Sequence, residues 1–265
     1  MSVDERAVVS KKAKIAKDVE IGPFVVIEDE VEIASGVKIW PHAYIANGVS
    51  IGEGSQIHVG AAIGGMPQDM AFKNTRTFVK IGNRTVVREY ATIHRGTADG
   101  SSTIIGDDCY LMAVSHVGHN CRLGNNVIVA NGALLAGYVE VGDKAFISGN
   151  VVIHQFCRIG ELSMIGGFSG INKDVPPYML VRGPSVVRTL NLVGLRRAKV
   201  ARDAMHELKE AFRLIYTSGV NTSQALVEVK KLPALPEITN LIKFIEGSKR
   251  GICKSKASDE EYFGE

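Results

Sequence analysis

The sequence predicts a three-sided parallel β-helix followed by a small helical domain. Three features carry that expectation: aliphatic residues every six places from Val9 to Ile171, a small residue four places after each of them, and a change to helical spacing after Pro176-Pro177. Stepping by six from Val9 meets Ile, Leu or Val at 25 of 28 positions, with Asp69, Thr75 and Asp99 as exceptions. A six-residue period fits neither a helix nor a free strand of period two. It fits a short strand followed by a sharp turn. Three such units make an eighteen-residue coil, and stacked coils make a parallel β-helix with neighbouring strands about 4.8 Å apart.

The aliphatic residue and the small one both point inward in this scheme. Cys109, Cys121 and Cys157 occupy the small position and are expected to fill core; no two cysteines form a CxxC pair. The phase fails over 64–80 and about 97–104, then returns in register. These stretches read as loops leaving the corners of the coil, where functional residues are often carried. The β-helix is expected to span 1–177 and the helical domain 178–265. Residues 178–200 read as a connector with one short helix. Arg202–Tyr216 carries Met205, Leu208, Phe212 and Ile215 on one face, with Gly219 as a C-cap. Asn221 or Thr222 starts the next helix. Another begins near Pro236 and ends at Gly247, and about 249–265 read as polar and frayed. Helices at this end would cover strand edges that the last coil leaves open.

Composition narrows the function. The 265 residues are 45% hydrophobic and 22% charged, as in an ordinary globular protein, and the 28 glycines and 6% aromatics suit tight turns around a narrow core. The net charge is +3, with −2 over 1–177 and +5 over 178–265. That is too little for a general nucleic-acid binder, while the basic C-terminal part suits an acidic protein partner. No run is long enough for a membrane span, and the charged N-terminus lacks the apolar stretch of a secretory signal, so the expected location is the cytoplasm.

Eighteen-residue spacing also predicts neighbours. His119, Gly137 and Gln155 share one hexad position and should stack in a column, with His116 half a hexad before His119 and His154 beside Gln155. One reading is an acyl-transfer site, in which neutral His119 is the general base and the Gly137 N–H stabilises a developing oxyanion. The other is a set of polar residues on the outside of a coil. Zinc held by His116 and His119 with His94 or His154 is disfavoured, because no acidic or Cys ligand stands at a familiar spacing. A phosphate loop and a dinucleotide fingerprint are both absent from the sequence.

The segments IHRGT at 93–97, SHVGHNCRLGNN at 115–126, LLAGYVEVG at 134–142, HQFCRIG at 154–160, DVPPY at 174–178 and GLRR at 194–197 together resemble the UDP-N-acetylglucosamine O-acyltransferases, which catalyse the first step of lipid A synthesis. The resemblance implies a left-handed coil, against the usual handedness of parallel crossovers, and a homotrimer with sites between subunits. It implies transfer of an (R)-3-hydroxyacyl chain from acyl carrier protein to the 3-position of the sugar of UDP-N-acetylglucosamine. No separate cofactor is implied, since the carrier brings its own phosphopantetheine arm. By motif, His119 is the base, Gly137 the oxyanion donor and Asn120 the partner of His119. Asp69 matches a sugar contact, and His94, His116, Tyr138, His154 and Gln155 fall in the substrate region. Gly167 falls where acyl length is set, and its lack of a side chain favours a longer chain. Asn191 and Arg197 match nucleotide and phosphate contacts. Arg196, Lys199, Arg202 and Arg213 could attract the carrier.

The chain departs from the family pattern at three places. Asn120 stands where Asp is usual, Tyr138 where His is frequent, and Ala71 where a Lys is expected, with Lys73 two residues on. Transfer to a sugar with an amine in place of the 3-hydroxyl is an alternative, as is another hexapeptide-repeat acyltransferase. The pathway's N-acyltransferase carries an extra N-terminal domain, whereas the repeats here begin by residue 9. A trimeric β-helical carbonic anhydrase would need three metal-binding histidines, and a purely structural β-helix would need neither the His119 column nor the loops.

Overall fold

A computed structural model describes residues 2–255 as a left-handed parallel β-helix with a helical C-terminal region. Two-residue strands alternate with tight turns, and the strands stack into three sheets. Face 1 includes Lys38–Ile39, Gln56–Ile57 and Val86–Val87; face 2 includes Thr92–His94, His116–Val117, Leu134–Leu135 and Val152–Ile153; face 3 includes Arg122–Leu123, Glu140–Val141 and Arg158–Ile159. The phase residues and the small residues four places on line the interior: Ile57, Ile93 and Ile153 are fully buried, as are Ala61 and Ala133. Cys109, Cys121 and Cys157 are buried too, and burial pushes the Cys121 thiol up to about 12, which keeps it protonated and unreactive as core filler.

The register explains how the period survives its interruptions. Lys38 pairs with Gln56, eighteen places on, and Tyr110 with Ile128, again eighteen. Between them Gln56 pairs with Val86, and Val86 with Tyr110, so the two excursions add twelve and six residues. Both leave the corner between faces 2 and 3, one from Gly65 to Phe78 and the other from His94 to Ser102. The first is shorter than the expected 64–80, and the second lies two to three residues earlier than the expected 97–104. Phe78–Ile81 and Ser102–Ile105 already alternate outward and inward and pair with each other, so the chain is back in the coil before the aliphatic phase residue.

The C-terminal region differs from expectation in three ways. The connector contains two strands, Met179–Arg182 and Val186–Leu190, forming an antiparallel hairpin whose first strand extends face 1 beside Met164–Ile165. Its turn, Gly183-Pro184-Ser185, interrupts the hexad phase and hides the strands from a six-residue search. Next come α1 (Leu192–Arg197), α2 (Arg202–Tyr216), α3 (Thr222–Val229) and α4 (Pro236–Glu246). Helix α2 closes at Thr217 rather than at Gly219. Helix α3 opens with a capping box in which Asn221 and Gln224 satisfy each other's backbone N–H groups, and α4 has Pro at its first position. Lastly, the polar tail is not frayed from 249: Ile252 bridges to Asp174 and Lys254 to Val186, and Cys253 is fully buried. The rest of that expected tail, 256–265, lies outside the described residues. No helix among the described residues is long and apolar enough to cross a membrane.

Candidate functional site

Because both excursions and the column at 119, 137 and 155 share one corner, the coil gathers their side chains beside face 2. The result is an open groove of about 550 Å³, lined by His94, His116, His119, Gly137 and Gln155 of the expected residues. Gln68 from the first excursion and Tyr90, Thr92 and Gly118 from the coil join them.

At the centre, His119 packs closely against Gly137. A Cβ added to Gly137 would overlap the ring, coming within 2.5 Å of Nε2. Glycine is needed there for close approach, not for its backbone angle. Gly118 has a related job, since a Cβ on it would sit 2.9 Å from the Gly137 nitrogen. Among the described residues the Gly137 N–H meets no acceptor and His119 Nε2 has no hydrogen-bond partner. A donor and a basic nitrogen are therefore both free, one beside the other, in an accessible groove.

The other ring nitrogen is held. His119 Nδ1 lies 3.0 Å from Asn120 Oδ1. That oxygen also accepts from the Thr97 N–H at 3.1 Å and the Thr97 hydroxyl at 2.9 Å, while Asn120 Nδ2 donates to Ser101 Oγ at 3.1 Å. Asn120 has φ of 61°, a left-handed conformation that Asn tolerates better than most residues. Tyr138 is edge-on to His119, stacks on Phe156, and reaches Thr97 Oγ1 with its hydroxyl at 2.8 Å. Thr97 and Ser101 sit on the second excursion, and the coil period gives no way to place them beside His119.

His94 and His116 form an edge-on pair with ring centres 4.7 Å apart. His116 Nδ1 is 2.7 Å from Thr92 Oγ1. Burial lowers both, with the neighbouring imidazoles acting in the same direction; His94 falls to about 4. Both are neutral near pH 7, which suits hydrogen bonding to a polar ligand more than ion pairing. No group of three or more His, Cys, Asp or Glu among the described residues is arranged to hold a metal ion.

The remaining expected residues lie apart from this centre. His154 is exposed, and its Nδ1 donates to the Gln155 carbonyl at 3.1 Å. Asp69, in the first excursion, accepts the Ala71 N–H at 2.9 Å in a local turn. Gly167 is exposed at the corner between faces 1 and 2, beside Phe168, and so is on the opposite edge of face 2 from His119. Asn191 is buried and committed to structure: it caps α1 by accepting from Gly194 N–H at 3.0 Å and donates to the Leu162 carbonyl at 2.8 Å. Arg197 is exposed in the last turn of α1. Neither lines the groove.

A family model described as bacterial transferase hexapeptide (six repeats) matches residues 12–47 and 102–137, and one described as UDP N-acetylglucosamine O-acyltransferase, domain 2, matches 174–253. An acyl-[acyl-carrier-protein]–UDP-N-acetylglucosamine O-acyltransferase from Thermodesulfovibrio yellowstonii is 45% identical over 255 residues, covering 95% of this chain and 99% of the relative. One from Pseudomonas entomophila is 44% identical over 256 residues, covering 96% and 99%. Among solved structures, a UDP-N-acetylglucosamine acyltransferase from Bacteroides fragilis superposes with a TM-score of 0.91 at 42% identity, covering 94% of this chain and 99% of its own. With the coil, the helical C-terminal region and the length all shared, the chain belongs to the acyl-[acyl-carrier-protein]–UDP-N-acetylglucosamine O-acyltransferase family.

Proposed function

We propose that the chain transfers a 3-hydroxyacyl group from acyl carrier protein to the 3-hydroxyl of the sugar of UDP-N-acetylglucosamine, with His119 as base and the Gly137 N–H as oxyanion donor. The observation that carries this mechanism is the free Nε2 of His119 lying against Gly137, whose N–H is also free. Nε2 takes the proton from the sugar hydroxyl as its oxygen attacks the thioester carbonyl. The carbonyl oxygen gains negative charge beside the Gly137 N–H, which stabilises it without reorganisation. Collapse breaks the carbon–sulfur bond, and imidazolium returns the proton to the departing phosphopantetheine thiol. Neutral His94 and His116, with Gln68 and Gln155, supply hydrogen bonds to the sugar. Arg197 and the exposed basic residues around it serve the phosphates and the acidic carrier.

The assembly proposed is a homotrimer packed through face 2. The outer side of that face exposes Val8, Tyr44, Leu134 and Val152, and its corner with face 1 exposes Tyr90, Val114 and Phe168. Face 3, by contrast, carries ion pairs such as Lys14–Glu32 and Arg158–Glu140. An apolar stripe beside the groove fits a neighbouring copy closing the site. Light scattering on Leu134→Glu is expected to give a smaller particle than wild type.

The deciding assay is product mass spectrometry with UDP-N-acetylglucosamine, its 3-amino analogue and carrier protein loaded with several acyl lengths. Wild type is expected to give the O-acylated sugar, and His119→Ala to lose roughly 10²–10⁴ in rate while its circular dichroism stays that of the folded protein. Undiminished activity in His119→Ala removes the base.

A further inference from the structure

The second excursion brings to His119 a contact that the coil alone does not supply. We propose that Thr97 is a positioning residue that fixes which nitrogen of His119 carries the proton, acting through Asn120 and supported by Ser101 and Tyr138. The inference rests on the reading of His119 as the base and deepens it.

The chemistry follows from which groups can only donate. The Thr97 backbone N–H is a donor and nothing else, and it faces the end of the Asn120 side chain at 3.1 Å. That end must therefore be the amide oxygen. The opposite end is then Nδ2, which donates to Ser101 Oγ at 3.1 Å. The Thr97 hydroxyl donates to the same oxygen at 2.9 Å, and the Tyr138 hydroxyl, 2.8 Å from Thr97 Oγ1, then donates to it. With its oxygen turned toward His119, Asn120 can only accept. Nδ1, 3.0 Å away, must be the protonated nitrogen, which leaves the lone pair on Nε2 against Gly137. Were the amide free to rotate, Nδ2 would face the imidazole, Nδ1 would accept, and Nε2 would carry the proton and be useless as a base.

This gives the departure from Asp a physical meaning. A carboxylate is an acceptor on both oxygens and needs no clamp. An amide has a wrong face; the Thr97 N–H excludes it, and the Thr97 and Ser101 hydroxyls complete the right one. Tyr138, where the family often has His, supplies the outermost donor of that relay.

Two measurements test the proposal. Long-range 1H–15N correlation of the His119 imidazole is expected to show the proton on Nδ1 in the wild-type protein and in Thr97→Ser, and a mixture of tautomers in Thr97→Pro, which removes both the N–H and the hydroxyl and whose fold is checked by circular dichroism. Steady-state kinetics are expected to show kcat down by at least about tenfold in Thr97→Pro, the worth of one net hydrogen bond, with KM for the UDP-sugar little changed, Thr97→Ser near wild type, and the loss restored by Asn120→Asp in the Thr97→Pro background, where a carboxylate needs no clamp. A folded Thr97→Pro protein that keeps the Nδ1 proton and full kcat overturns the clamp, as does a wild-type spectrum with the proton on Nε2. If His119→Ala remains active, the base reading fails separately, and the tautomer spectrum still decides whether the clamp exists.

Discussion

At both edges of face 2 the coil presses an aromatic ring onto a glycine so closely that a Cβ there would overlap it. At the corner between faces 2 and 3 it is His119 over Gly137; at the corner between faces 1 and 2 it is Tyr90 over Gly60. The packing is similar, but the reasons for glycine differ. Gly60 has φ of 67°, and its N–H is bound to the Pro41 carbonyl at 3.1 Å. Gly137 has no such backbone requirement, and its N–H meets no acceptor among the described residues. A ring on a glycine is thus a packing solution of the stacked coil. It becomes chemistry only where the main-chain donor is left free and the ring carries a base.

Alanine substitution separates the two most sharply. Gly137→Ala puts a methyl group into the His119 ring and is expected to lower kcat by roughly 10²–10³, the loss associated with one oxyanion donor, with the fold retained by circular dichroism. Gly60→Ala is expected to keep most activity but lose about 1–2 kcal/mol of stability for a left-handed residue with a side chain, read by urea melts. The reverse pattern would break the comparison. Gly118→Ala should come next, with activity reduced by about tenfold, since its methyl group approaches the Gly137 nitrogen rather than the base.

Asn191 and Arg197 extend the contrast to α1. The Asn191 side chain is spent on capping and on Leu162, so Asn191→Ala should cost about 1 kcal/mol of stability. Arg197→Ala should leave the melt unchanged and raise KM for the nucleotide sugar. A KM effect from Asn191→Ala with no change in the melt would mean that its cap bonds are dispensable.

The smallest expected effect concerns acid. Burial, with His116 and His119 adding to it, holds His94 near 4 in the folded protein, against about 6.5 in an unfolded chain. The unfolded state then binds more protons as pH falls from about 6.5 toward 4, so stability declines across that window. His94→Gln should lose less melting temperature between pH 7 and pH 5 than wild type.

The coil was readable because each eighteen residues repeat one environment, and a six-residue period survives even where excursions intervene. That period alone puts His119, Gly137 and Gln155 in one column. It could not place Thr97 or Ser101, because a residue outside the coil has no register and its neighbours depend on how the excursion folds back. The 179–190 hairpin escaped for a related reason: its strands obey an antiparallel pairing that begins only after the hexads end. Asn191 shows the remaining limit. Motif matching assigned it to a ligand, while its side chain is taken up by a helix terminus and a carbonyl across the fold.

The two ends of the prism are finished differently. At one, the hairpin, four helices and the strand-like run at 252–254 cover the final coils. At the other, Ser2–Val3, Val8–Val9 and Lys14–Ile15 are each the terminal strand of a sheet, paired on a single side among the described residues, and Val8 is 64% exposed. Since each winding rests chiefly on its immediate neighbours, disassembly should have a direction. Amide exchange is expected to start at the bare rung and advance toward the helices, reaching the windings that carry His119 only after several others have opened. The corner that carries His119 is thereby insulated from everyday fraying by a run of sacrificial coils.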